Sequence, residues 1–118
     1  LELKQRGEVA AVGVGAKDWK TIRRITETVE LDWVMLALSF TVLEHSSDIL
    51  EFMEALAERN VAIINSAVFH GGFLTGGGYF NYRQTDRRQA SDRPLYEWRD
   101  HFFGICEKHQ AKPSDACI

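Results

Sequence analysis

Apolar residues follow two rhythms that alternate along the chain. Short unbroken runs at 8–14 (EVAAVGV), 33–40 (WVMLALSF) and 61–64 (VAII) suit strands buried on both faces. Stretches with helical spacing separate them. Asp18 caps the first, whose inner positions are Trp19, Ile22, Ile25 or Thr26, and Val29. The HSSD stretch at 45–48 caps the second, which carries Ile49, Met53, Leu56 and Ala57 on one face and ends at Arg59-Asn60. After a long loop, Pro94 opens a third helix with Leu95, Trp98, Phe102 and Ile105 or Cys106 inward, ending near His109. At the ends, LELKQRGEV reads as the last turn of a helix stopped by Gly7. KPSDACI reads as the first turn of another, with Pro113 at its first position and Asp115 in its first turn. The expectation is one domain over 1–118 that is a segment of a longer protein, truncated at both ends.

Strands recurring with a helix between each pair predict an α/β fold with a parallel sheet and right-handed βαβ units. Two architectures fit: an open doubly wound sheet, or part of a (βα)8 barrel. In both, ligands bind at the carboxyl ends of the strands. That puts the loops at 15–18, 41–47 and 66–83 on the functional face.

Composition narrows the function classes. Of 118 residues, 45% are apolar and 26% charged, as expected of a globular domain. The net charge of −3 argues against non-specific nucleic-acid binding, which rests on phosphate neutralisation. The longest apolar run, 34–38, is too short to span a bilayer, and the charged stretch 1–8 lacks the apolar core of a secretory leader. Cys106 and Cys117 have no metal-ligand spacing, so reduced thiols of a cytoplasmic protein are expected, with Cys106 facing the core.

The loops carry the candidate chemistry. GVGAKD at 13–18 follows a strand and opens a helix, yet it lacks the third glycine of a dinucleotide fingerprint. The next strand also ends in Ser39-Phe40 rather than an acidic residue. GGFLTGGG at 71–78 lacks the Lys-Ser/Thr of a P-loop. Its glycines suit close backbone approach to an anion, or positive φ, while Phe73 and Leu74 supply apolar anchors that a merely flexible turn does not need. His70 is a candidate acid/base group, substrate hydrogen-bond donor or surface histidine. His45, His101 and His109 are scattered and make no metal site. Tyr79, Phe80, Tyr82 and Arg83 read as a substrate lid or a packed loop, and Asp86-Arg87-Arg88 as a solvated surface. No nucleophile–base pair or paired carboxylates stand at the loop ends, so the residues themselves name no reaction.

Three stretches, LKQRGEVAAVGVGAKD, WVMLALSFTVLE and VAIINSAVFHGGFLTGG, resemble in order and spacing consecutive segments of the aldo-keto reductases. Within that family, the NSAVFHGGFLTG and YFNYR variants are most similar to sugar dehydrogenases that oxidise L-fucose or related aldoses. The resemblance implies a (βα)8 barrel, of which this chain covers about the fifth to seventh strands. It implies a nicotinamide cofactor, NAD or NADP, and a small sugar or other carbonyl substrate. The family's loop along the cofactor pyrophosphate falls on Ala67, Phe69, Gly71 and Gly72. Its Ser-Asn pair on the carboxamide falls on Gly15 and Ala16, its glutamine on Ala37, and its ring under the nicotinamide on Ser66. Substrate contacts are expected from His70 and Tyr79. The family's catalytic tetrad comes from the first four strands, so no catalytic residue is assigned here. A free segment would expose strand edges, and association between copies is expected of it. The competing readings are a non-catalytic binding module built from a partial barrel, and another barrel enzyme such as a sugar isomerase.

Overall fold

The computed structural model describes residues 1–118. The chain divides into two compact units, Leu1–Ser66 and Ala67–Ile118.

The first unit contains α1 (Glu2–Gln5), β1 (Gly13–Ala16), α2 (Trp19–Thr26), β2 (Trp33–Ala37), α3 (Ser47–Glu58) and β3 (Ala62–Ser66). The three strands form one parallel sheet in the order β1-β2-β3, with Val14 opposite Val34 and Val34 opposite Ile63. Asp18 caps α2 as its sequence predicts: one carboxylate oxygen accepts from the Lys20 N–H at 3.0 Å and the other from the Thr21 hydroxyl at 2.7 Å. At the other end of the next crossover, Asn60 takes the left-handed conformation (φ 58°) that closes α3.

Both helices cover the same face of the sheet. Ile22 from α2, Ile49, Phe52 and Leu56 from α3, and Val34 and Leu36 from β2 form the buried core, and Phe52 stacks on Trp19 at 5.7 Å. The expected inner face of α3 is therefore shifted: Phe52 is buried and Ala57 exposed. The strands, expected to be buried on both faces, are buried on one. The opposite face carries Gly15, Met35 and Ile64 in one row, and Ile64 is 43% exposed.

The first strand also starts later than its apolar run. Pairing begins at Gly13 because β2 begins at Trp33, and residues 8–11 have no strand beside them and are exposed. Asp32 fixes this start. Its side chain accepts from the Val12 N–H at 2.8 Å and pairs with Lys4, its own N–H donates to the Val12 carbonyl, and its carbonyl accepts from the Ala62 N–H. Three strands and α1 are thereby registered at one residue.

The second unit contains a 3₁₀ turn (Phe73–Thr75), β4 (Tyr79–Phe80), β5 (Arg83–Gln84), α4 (Arg93–Lys108) and α5 (Pro113–Ala116). The stretch expected as an aromatic loop is an antiparallel hairpin, Tyr79 opposite Gln84 and Phe80 opposite Arg83. Its two turn residues, Asn81 (φ 49°) and Tyr82 (φ 73°), both have positive φ, which a two-residue hairpin turn of the right twist requires. On α4 the buried residues are Tyr96, Arg99 and Cys106, one helical stripe. Ile105, an alternative inward position in the sequence, is 46% exposed. No helix is long and apolar enough to cross a membrane.

Candidate functional site

The carboxyl ends of the first unit's strands are built from small residues. Gly15 and Ala16 point to opposite faces of the sheet: Ala16 packs toward the helix-covered core, while Gly15 lies beside Met35 on the open face. A methyl at Gly15 would come within 3.2 Å of the Met35 Cβ. Of the pair, only Gly15 stands on the open face. Ser66 ends β3, and its hydroxyl donates to the Leu36 carbonyl at 3.4 Å. The neighbouring loops are closed by their own hydrogen bonds. The Ser39 hydroxyl donates toward the Lys17 carbonyl (3.1 Å) and the Ala37 carbonyl (3.0 Å), and Thr41 Oγ1 accepts from the Leu43 and Glu44 N–H groups. His45 sits here, its Nδ1 3.0 Å from the Thr41 carbonyl.

The second unit opens with the glycine-rich loop. Ala67 (φ 59°), His70 (φ 49°), Gly71 (φ 73°) and Gly72 (φ 90°) are all left-handed. Two of these carry side chains, so the packing around them overrides the intrinsic preference. At His70 and Gly71 the hairpin supplies that constraint. The His70 carbonyl accepts from the Asn81 N–H at 3.2 Å, and a methyl on Gly71 would meet the Tyr79 carbonyl oxygen at 3.3 Å. Gly71 therefore lets the loop lie against its own hairpin, a partner the sequence did not reveal.

Histidine 70, expected toward substrate, is turned inward. It is fully buried, its ring stacked on Phe80, and its Nδ1 lies 3.0 Å from Asn81 Oδ1. Tyr79 is half exposed. Strand alternation explains the difference: Phe80 faces the loop, so Tyr79 faces away. Phe69 is half-buried, and its carbonyl accepts from the Gly72 and Leu74 N–H groups at 3.0 and 3.2 Å. Above Gly72 there is open space.

Beneath the loop lies a polar framework that sequence reading missed. Asp92, nearly fully buried, pairs with Arg83 at 2.7 Å and accepts from the Asp86 N–H at 2.9 Å. The Arg83 hydrogen bond, followed by that of the Asp86 N–H, holds the Asp92 carboxyl below the usual carboxylate range. Thr85 joins the Gly78 carbonyl to the Tyr96 hydroxyl, 3.0 and 2.9 Å away. Arg99 on α4 reaches the carbonyls of Phe73 and Gly77, and burial pushes its guanidinium below its ordinary value. Only the aromatic density of α4 hinted at such a site, and nothing in the sequence pointed to an inward arginine. The buried Cys117 thiol is pushed up by desolvation. A cavity of about 440 Å³ lies elsewhere, at the amino ends of β2 and β3, lined by residues including Lys4, Asp32 and Arg59. It is remote from the strand ends at which α/β folds bind ligands.

Comparison with known proteins connects these features to a family. The family model described as "Aldo/keto reductase family" matches residues 1–118. A D-threo-aldose 1-dehydrogenase of Pseudomonas sp is 30% identical over 117 residues, covering 99% of this chain and 35% of the relative. A pyridoxal 4-dehydrogenase of Microbacterium luteolum is 32% identical over 73 residues, covering 62% of this chain and 21% of the relative. The chain thus spans about a third or less of the relatives it matches. No solved structure gives a significant match. The family match over the whole length, with a parallel sheet whose helices cover one face, leads to one conclusion: this chain belongs to the aldo/keto reductase family.

Proposed function

We propose that the chain is part of an NAD(P)-dependent oxidoreductase that exchanges hydride between a nicotinamide and a sugar, such as an aldose, or another carbonyl compound. On this reading the chain forms about the fifth to seventh strands of a (βα)8 barrel, and the catalytic groups lie in the rest of the protein. Membership of the aldo/keto reductase family and the dehydrogenase names of both relatives support the reading.

The observation that carries it is the succession of left-handed residues after β3: Ala67, His70, Gly71 and Gly72. In this stretch the N–H groups of His70 and Gly72 donate to the Ala67 and Phe69 carbonyls, which leaves the Gly71 N–H to meet the pyrophosphate of a dinucleotide. Open space above Gly72 fits the approach of such a group. Ala67, Phe69, Gly71 and Gly72 would hold the pyrophosphate end. At the strand ends, Gly15, Ala16 and Ser66 bring no ring or amide to the nicotinamide, so contact there would rest on backbone and the Ser66 hydroxyl. A bound nicotinamide supplies the hydride acceptor or donor. Tyr79, exposed on the hairpin, is the proposed substrate contact, and His70 acts on substrate only through the hairpin it supports.

In the full-length protein, replacing Gly72 by leucine should raise the cofactor KM without a matching fall in kcat. An unchanged KM would remove the loop from the cofactor site. Initial rates with NAD and NADP on a panel of aldoses and aldehydes test the reaction itself.

A further inference from the structure

Resting on the reading that the glycine-rich loop lies along a dinucleotide, we propose that Arg99 is a positioning residue that holds this loop in its binding shape from α4.

Its surroundings support that role. Arg99 is only 9% exposed, yet no carboxylate pairs with it. Its neighbour Asp100 pairs with Arg87 instead, at 2.6 and 2.8 Å. A buried cation without a counter-ion opposes folding, and an apolar residue would fill the place at less cost. The guanidinium is held by π-faces and carbonyls. Its carbon lies 4.3 Å from the Phe73 ring and 4.6 Å from the Tyr96 ring, and Nη1 donates to the carbonyls of Phe73 (3.2 Å) and Gly77 (2.8 Å).

Those two carbonyls bracket a segment whose glycines have no side chains with which to anchor themselves. Because a peptide is planar, drawing a carbonyl toward α4 turns the following N–H away from it. For Phe73 this sets the Leu74 N–H, which donates to the Phe69 carbonyl at 3.2 Å. Next to the other anchor, the Gly77 N–H donates to the Gly72 carbonyl at 2.8 Å. Phe69, proposed at the pyrophosphate, is thus one hydrogen bond away from a peptide that Arg99 fixes, and Gly72 is one hydrogen bond away from Gly77, the residue whose carbonyl Arg99 holds.

The test compares Arg99→Met and Arg99→Lys in the full-length protein. Methionine keeps the stem's packing and removes every donor. Lysine keeps charge and one donor group but not the planar fork. Arg99→Met should raise the cofactor KM by about tenfold with kcat changed less than about twofold, and should speed amide hydrogen exchange across 69–78 by a similar factor. Arg99→Lys should fall between it and the wild type. A folded Arg99→Met protein with wild-type cofactor KM overturns the proposal. Should that variant not fold, an Arg99→Lys protein with unchanged KM overturns it. If the wild type binds neither NAD nor NADP by calorimetry, the dinucleotide reading fails. Hydrogen exchange then still decides whether Arg99 shapes the loop.

Discussion

The rings of His70 and Phe80 lie parallel, centroids 5.0 Å apart and planes within 3°, while Asn81, the next residue, bonds the same histidine through both side chain and backbone. This stack joins the glycine-rich loop to the hairpin. His70→Ala should therefore act on stability, costing about 2–4 kcal/mol through lost packing and an unpaired Asn81 amide. Urea unfolding of the full-length protein measures it. A fall in kcat with unchanged stability would instead give the imidazole a direct chemical role.

Two adjacent glycines should respond unequally. A methyl on Gly77 would lie 2.8 Å from the Gly72 carbonyl oxygen, whereas one on Gly78 would meet nothing within 4 Å. Gly77→Ala should cost about 1–3 kcal/mol, and Gly78→Ala should stay within about 0.5 kcal/mol of the wild type. Thermal melts of the two variants side by side check the contrast. Equal melting temperatures would mean that the loop does not fold back on itself.

At the start of β1, the Trp33 indole lies over Gly13, where a methyl would fall 2.1 Å from indole carbon and 2.4 Å from the Trp33 carbonyl oxygen. Gly13→Ala should destabilise the first unit by about 2 kcal/mol or more. Adding Trp33→Ala should restore little, because the carbonyl is still in the way. A double-mutant cycle by chemical denaturation reads this directly, and full restoration would place the whole conflict in the indole.

The Asp92–Arg83 pair gives an acid signature. The folded-state pKa of Asp92 is depressed, so its stabilisation is present above the ordinary aspartate value of about 3.9 and is lost as pH falls through the lower folded-state value. Asp92→Asn should be less stable than the wild type at neutral pH, and the gap should close below about pH 4. Denaturation curves across pH 2–7 show whether it does. A gap independent of pH would mean that the ion pair contributes nothing to the difference.

Much of the first unit was legible because its signals are local. The Asp18 cap, the Asn60 stop and the alternation of apolar run with helical spacing each depend on a few neighbouring residues. The start of β1 was not, since the run at 8–14 is apolar enough for a strand but only a partner decides where pairing begins. The hairpin was hidden by its turn: Asn81-Tyr82 lacks the glycine that usually marks a turn with two positive φ values. With the hairpin unseen, nothing within the chain accounted for the positive φ open to the glycines, and none of the roles open to His70 was a buried one. Arg99 was illegible for another reason. A charged residue is assigned outward by default, and the carbonyls that hold it inward come from a segment more than twenty residues earlier.

The two-residue turn at Asn81-Tyr82 also limits how this stretch of sequence can change length. Strand side chains alternate, so one inserted codon there would exchange the inward and outward sets of the hairpin: Phe80 would leave His70 and a tyrosine would enter. The exposed residues 87–91 lie beyond the paired strands and carry no such constraint. Among related sequences, length variation should therefore gather at 87–91 and be absent between Tyr79 and Gln84.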